Sequence, residues 1–363
     1  MRTLRINVLI ITVILICIGA VMIYSASSIY AQEQFEDAMF FLKRHLLFLG
    51  IGAILSLLFL FIDYKKLKKF PKPLLILTLL LLVLILIPGF SKAISGARRW
   101  FRFGSLSFQP SEMANLVLII YIADFLSRKQ DKIENFFSGY LPVVLVLGLS
   151  CGLILLQPDL GTALAISIVA GLMLYIGGVR IIHLVSTLLL ALPLLMLMIF
   201  SVPYRRLRIM AFLNPWQDPG GSGFQIIQSQ IALGSGGFFG QGLGMSRQKL
   251  FFLPAAHTDF IFSIIGEELG FLGVAVVIIL FVLLLFCGLK AIKNSPDAFG
   301  YYLGLGLILS IILRAFINIS VVCGILPTRG LPLPFISYGG SSLIFNMASI
   351  ALILNISRGS ETL

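Results

Sequence analysis

Charge is what this sequence has least of. Asp, Glu, Lys and Arg make up only 12% of its 363 residues, against 59% hydrophobic residues, where a soluble domain carries about a quarter charged residues. That scarcity excludes a water-soluble globule. Acidic residues are the rarer sign, 15 against 27 basic ones, which leaves a formal net charge of +12. Cysteine is sparse as well. Cys17, Cys151, Cys287 and Cys323 lie far apart, without CxxC or metal-ligand spacing, so they read as small packing residues and no redox compartment follows from them.

What is abundant is uninterrupted apolar sequence. Runs such as 7–24, 46–62, 74–87 and 274–289 are long enough, or nearly so, to cross roughly 30 Å of hydrocarbon as helices. The expectation is an all-α polytopic membrane protein, a single bundle over residues 1–363 with no separate soluble domain. Any chemistry must then sit in loops or in cavities between helices. About ten spans can be placed, near 7–28, 44–63, 73–88, 110–127, 140–156, 161–177, 183–202, 259–289, 299–322 and 341–357. An even number puts both termini on one side. The turn containing Lys65, Lys66, Lys68, Lys69 and Lys72, set against the acidic loop of Glu33, Glu36 and Asp37, places the termini in the cytoplasm. The first span has no small-residue cleavage site after a short apolar core and reads as a retained helix. A large extracytoplasmic loop, about 203–258, then separates the seventh and eighth spans.

The basic balance does not imply nucleic acid, because basic residues gather on cytoplasmic loops for topological reasons. The outer side should be poor in cations, yet Lys92, Arg98, Arg99, Arg102, Arg205, Arg206, Arg208, Arg247, Lys249 and Arg329 all fall there. Interfacial arginines can snorkel to lipid phosphates, and that reading stays open. Convergence on three loops, with aromatics and glycines interleaved, favours a site for a phosphate or pyrophosphate.

Four outer segments hold the candidate residues. The first carries Arg98, Arg99 and Trp100, then Gln109-Pro110-Ser111-Glu112. Pro110 suits the first turn of a helix, Gln109 or Ser111 can satisfy free amides there, and the dipole favours Glu112. A Trp and Arg anchor at the headgroups fits this segment equally well. The second opens with Arg205 and Arg208 and continues into the glycine-rich stretch 234–244, which lacks the GKS ending of a nucleotide-binding loop. Tight turns needing positive φ account for those glycines better than a phosphate cradle does. Lys249 follows.

In the third segment, His257-Thr258-Asp259, the chain re-enters the membrane. Asp259, Glu267 and Glu268 are carboxylates at the mouth of or inside an apolar helix, where each needs a partner or a task. At 100° per residue the Asp259 face continues through the small residues Ser263, Gly266 and Gly270. Glu267 and Glu268 lie roughly 12 Å deeper. Arg314 reaches a similar depth in the ninth span, between Ser310 and Asn318, and is expected to form a structural ion pair with Glu267 or Glu268. The fourth segment, 326–341, has prolines too dense for a helix and is expected to be a rigid re-entrant loop bearing Arg329, Ser337 and Tyr338. Asp159, in the turn 157–161, is a plain helix cap.

Taken together, the stretches 21–27, 96–112, 157–161, 214–216, 234–244, 254–270 and 327–341 resemble the SEDS family (shape, elongation, division and sporulation), the integral-membrane peptidoglycan polymerases. His257-Thr258-Asp259-Phe260 and the run from Pro334 to Gly340 are its most specific marks. The segments 246–257 and 326–331 look more like the division branch, FtsW and its sporulation relatives, than the elongation branch, RodA. The resemblance implies about ten helices with both ends cytoplasmic, in a multi-pass protein of the bacterial cytoplasmic membrane. It implies inverting transfer of a glycan from its undecaprenyl pyrophosphate anchor onto lipid II, for septal or lateral wall synthesis. The essential aspartate of the family motif falls on Asp259. A cognate class B penicillin-binding protein and other divisome or elongasome proteins are the implied partners, and magnesium or manganese the implied divalent cation.

Elementary chemistry agrees with that role. An inverting transfer needs one base for the attacking hydroxyl and cations for the departing pyrophosphate, which itself needs no protonation. Asp259 is the expected base. The residues expected to hold substrate are Arg98, Arg99, Trp100, Gln109, Ser111, Glu112, Arg205, Arg208, Lys249, His257, Thr258, Arg329, Ser337 and Tyr338. A lipid II flippase is the competing reading, but it would need a polar path through the whole membrane, whereas the polar residues concentrate in the outer half. A scaffold that only activates its partner would leave Asp259 without a task.

Overall fold

The computed structural model describes residues 2–91, 97–104, 106–254, 256–328 and 330–359. Lys92 and Arg329, two of the outer cations, lie outside the described residues. The chain runs through α1 (Arg2–Phe35), α2 (Phe40–Phe61), α3 (Pro71–Leu84), the strands β1 (Phe101–Phe103) and β2 (Leu106–Phe108), α4 (Pro110–Arg128), α5 (Leu141–Leu156), α6 (Leu160–Ile176), α7 (Ile181–Phe200), α8 (Pro203–Leu213), α9 (Phe224–Ser235), α10 (Ile261–Lys293), α11 (Ala298–Val322) and α12 (Gly340–Gly359). Among the described residues, eight helices are long and apolar enough to cross a membrane, with α5 counted from Phe136, and α3 and α6 are shorter apolar helices. Together they occupy the places of the expected spans.

Local chemistry sets several helix starts. Proline occupies the first turn of α3, α4 and α8, where the missing N–H would have had no partner. The Asp159 carboxylate caps α6 by accepting from the Thr162 N–H at 3.2 Å, and Asp297 caps α11 through the Gly300 N–H at 2.7 Å. The strands form a small antiparallel hairpin, Phe101 opposite Phe108, that leads into α4.

Helices α4, α11 and α12 form the inside of the bundle. Most of each apolar stretch is buried, whereas α7 has nothing buried along its apolar length and faces lipid. Between helices in lipid the driving force is close packing rather than escape from water, so small residues decide where backbones can meet. Gly19 of α1 is such a place: a Cβ there would lie 2.5 Å from the Phe335 carbonyl oxygen.

The eighth span departs from expectation. Residues 259–289 read as one helix, but Gly270 has φ 66° and ψ −162°, which breaks α10 into an outer arm and the long inner helix. A break frees backbone groups that lipid cannot satisfy. The glycine-rich stretch satisfies them. The carbonyls of Glu267 and Glu268 accept from the N–H groups of Gln241 and Gly242, both at 3.0 Å, while the Phe271 and Leu272 N–H groups donate to the Gly237 and Phe238 carbonyls at 2.9 and 3.3 Å. A Cβ at Gly240 would lie 2.2 Å from the Glu268 carbonyl oxygen, and Gly240 has φ 81°, so only glycine fits. The stretch 234–244 is a backbone partner for a broken helix.

Candidate functional site

Asp259 sits in the turn just before the outer arm of α10. Its side chain is half-buried, and burial pushes the carboxyl up to about 6 against the opposing pull of Arg208 and Arg99, with Asp159 adding to the rise. Two guanidinium groups and two carboxylates from four separate segments therefore share one electrostatic neighbourhood. The loop 326–339 closes it: Gly330 lies so near that a Cβ there would be 3.4 Å from Oδ2 of Asp259.

The residues around this carboxylate are held from below. The Asn318 side chain donates to the Asp259 carbonyl at 2.8 Å, and the Tyr338 N–H donates to the His257 carbonyl at 3.0 Å. The His257 ring packs among Tyr30, Phe41 and Tyr338, with centroids 5.9, 4.3 and 5.9 Å away. Burial there lowers its imidazole to about 4, so it is neutral at physiological pH. Burial also raises the Tyr338 hydroxyl, against the pull of Arg44. Thr258 is half-buried in the same turn, and Ser337 is buried, accepting from the Leu333 N–H at 2.8 Å inside its own loop.

Several expected substrate-holding residues are committed to the protein instead. Glu112 is buried and pairs with Arg314, Nη1 to Oε2 at 2.5 Å. This corrects the expected pairing of Arg314 with Glu267 or Glu268. The reason is packing: α4 lies against α11, while the break at Gly270 turns the two glutamates toward the end of the outer loop. Glu267 accepts from the Ser246 hydroxyl and from the Arg247 and Gln248 N–H groups at 2.9 and 3.3 Å. Glu268 accepts from Lys249 Nζ at 2.9 Å and from the Ser25 hydroxyl at 2.7 Å. Lys249 is thus a buried ion-pair partner rather than an open outer cation.

The remaining expected residues divide. Arg205 is buried and donates to the Met198 carbonyl at 3.0 Å, fixing α8 to the end of α7. Arg98 donates to the Leu86 carbonyl at 3.4 Å. Gln109 Nε2 donates to the Ser111 hydroxyl and to Asp159 at 2.9 and 3.3 Å, so those three residues fasten the start of α4 to that of α6. Arg99 donates to the Gln157 and Pro158 carbonyls and stacks loosely on Trp100, 6.0 Å from its ring. Arg208 is exposed and reaches the Thr328 carbonyl at 3.5 Å. Arg99 and Arg208 are the expected cations that the structure brings to Asp259.

Sequence reasoning missed three contributors. Asp159 was read only as a cap, Gly330 passed unremarked, and Asn318 was noted only as a neighbour of Arg314. The signal for Asn318 was present: Ser310, Arg314 and Asn318 recur every four residues along an otherwise apolar span, one polar face of a helix.

A resident cation finds little support in the donor set. Among the described residues no three His, Cys, Asp or Glu side chains cluster as metal ligands. Asp159 is committed to Thr162 and Gln109, which leaves Asp259 as a single carboxylate beside two guanidinium groups. These residues do not fit a protein-held divalent ion. A separate cavity of about 630 Å³ lies between residues 130–137 and the start of α7, lined by Arg180 and His183 among others, and contains none of the expected site residues.

Comparison with known proteins gives one consistent answer. The FtsW/RodA/SpoVE family model, described as cell cycle protein, matches residues 5–362. A probable peptidoglycan glycosyltransferase FtsW from Geobacter sp. (strain M18) is 47% identical over 96% of this chain and 95% of its own length. Stage V sporulation protein E of Bacillus subtilis (strain 168) is 44% identical over 97% of this chain and 96% of its own. Among solved structures, a chain from a peptidoglycan synthase complex that coordinates polymerization and crosslinking aligns with TM-score 0.79 at 32% identity, covering 97% of both chains. The rod shape determining protein RodA of Thermus thermophilus aligns with TM-score 0.71 at 29% identity, over 97% of this chain and 95% of its own.

Proposed function

The chain belongs to the FtsW/RodA/SpoVE family, and from that membership together with the site geometry we propose that it polymerises lipid II into glycan strands with Asp259 as general base. It is a multi-pass protein of the inner membrane and a peptidoglycan glycosyltransferase of the FtsW-like kind. Its substrates are lipid II and the undecaprenyl-pyrophosphate-linked strand, and its partner is a penicillin-binding protein that crosslinks the product. The observation that carries the role of Asp259 is its setting: a half-buried carboxylate in the turn before the outer arm of α10, close under Gly330, raised by burial and acted on by two guanidinium groups.

The chemistry follows from that setting. The carboxylate accepts the proton of the attacking sugar hydroxyl as that oxygen bonds to the anomeric carbon of the strand, and the bond to the pyrophosphate breaks. Arg208 and Arg99, the cations whose charge acts on Asp259, then stabilise the departing negative charge. Thr258 shares the turn of Asp259, and Tyr338 is bonded to it through its N–H and the His257 carbonyl.

The test is polymerisation by the purified protein with its partner and lipid II, the partner's transpeptidase blocked. Asp259→Asn keeps the shape of the side chain but accepts no proton, so strand synthesis should fall by about 10²–10⁴-fold. Near-normal strands from that variant, at matched membrane insertion, would overturn the assignment.

A further inference from the structure

Asn318 lies one turn outward of Arg314 on α11 and is buried, with 2% of its surface exposed. Its side-chain amide donates to two backbone carbonyls, those of Asp259 and Leu331, each at 2.8 Å. The two acceptors belong to different segments. One is the turn 256–260 that carries the catalytic carboxylate, and the other is the proline-rich loop 326–339 that closes over it. Neither segment is a helix or a strand, so no ladder of backbone bonds fixes the position of Asp259. The Tyr338 N–H, which donates to the His257 carbonyl, also joins the same two segments.

We propose that Asn318 is a positioning residue, a two-donor clip that sets the Asp259 carboxylate against the 326–339 loop and so in line with the attacking hydroxyl. The proposal rests on the general-base reading of Asp259. Asn318 bonds to the backbone and not to the carboxylate, and so acts through Asp259 without touching substrate. A planar amide suits the task because its two N–H groups diverge at a fixed angle and can hold two carbonyls at a fixed separation. Among the described residues the charged groups that act on Asp259 are Arg208 of α8, Arg99 ahead of β1 and Asp159 at the start of α6, and none is a partner of the Asn318 amide.

The experiment uses the full chain with its penicillin-binding partner. Asn318→Leu matches the size of the side chain and removes both donors. The kcat for lipid II polymerisation should fall about ten- to hundredfold, as expected for a displacement of about an ångström, while KM changes by less than about twofold. The released turn admits water to the carboxyl, so the acid limb of kcat against pH should move below its wild-type position. A second readout needs no turnover: the pH midpoint at which a hydrophobic carbodiimide modifies Asp259, located by mass spectrometry, should fall in the same direction. A merely structural Asn318 would lower the yield of folded protein and leave kcat, limb and midpoint of the surviving fraction as in wild type. That outcome, or wild-type kcat, overturns the clip. If Asn318→Leu fails to insert, Asn318→Ser, which keeps one short donor, carries the same comparison. Should wild type make no strands, or Asp259→Asn still make them, the general-base reading fails instead, and the carbodiimide midpoint still decides the clip.

Discussion

Asp259 can take a proton only while it is ionised, and its surroundings decide the pH at which that holds. Burial raises the carboxyl to about 6, and Arg208 and Arg99 oppose the rise. Below that pH the proposed base is protonated and idle, so kcat/KM should fall about fivefold between pH 6 and 5 and level off above 7. His257, lowered to about 4, stays neutral throughout and does not set the limb. Removing the first of the opposing cations, in Arg208→Gln, should move the limb to higher pH, because a lost positive neighbour makes the carboxylate harder to form. A limb that stays in place in this variant would remove Arg208 from the site. The Glu112 and Arg314 pair makes a different demand on stability. Both side chains are nearly sealed, at 4% and 2% exposure. Arg314→Met strands a buried carboxylate and should destabilise by about 3–5 kcal/mol, whereas Glu112→Leu combined with Arg314→Met should recover most of the loss. Thermal unfolding of the two variants in the same detergent reads the difference. Equal melting by the single and double variants would show that the ion pair does not carry the effect.

At the scale of the element, the break at Gly270 organises the outer half of the molecule. It turns Glu267 and Glu268 toward residues 246–249, and their carboxylates then tie the end of the outer loop to α1 through Ser25. Gly270→Ala puts a Cβ 2.3 Å from the Gly240 nitrogen at φ 66°. That substitution should cost more than the roughly 1 kcal/mol of ordinary left-handed strain, and it should impair polymerisation even though residue 270 is remote from the chemistry. Wild-type melting of Gly270→Ala would mean that the helix can run straight. Nothing in the sequence announced this break. Gly270 stands between Gly266 and Gly273 in a span that stays apolar after Glu268, and glycines so placed fit a straight helix, a packing contact or a kink alike. The spans were readable because their length and lack of charge are set by the bilayer itself. Asp259 stands out as a candidate because an ionisable group at the head of an apolar run needs a reason. The partners of Arg314 and Lys249 were not readable, since spacing along one chain does not say which helix faces which.

The whole molecule puts its charges to use at one end. The buried cation Arg314 is sealed against Glu112, while the charges of Arg99 and Arg208 act on Asp259. That asymmetry suits a reaction on the outer surface, where both lipid-linked substrates present a pyrophosphate, and it bears on how a divalent cation takes part. A protein-held ion would bind the native state by itself and raise its stability by RT ln(1 + [L]/Kd), about 2.7 kcal/mol at a hundredfold excess over Kd. A cation bound through substrate oxygens cannot do so in the lipid-free protein, because those oxygens arrive with the substrate, and Mg²⁺ keeps several waters and relies on substrate phosphates beside one or two carboxylates. The lone carboxylate beside two guanidinium groups predicts the second behaviour. Chelation should leave the unfolding temperature of the lipid-free protein unchanged, and millimolar Mg²⁺ or Mn²⁺ alone should not raise it. Lipid II and the cation together should raise it by more than lipid II in a chelator does. A clear upward shift with the cation alone, lost in Asp259→Asn, would place a resident ion on Asp259 and make its carboxylate a ligand before it is a base.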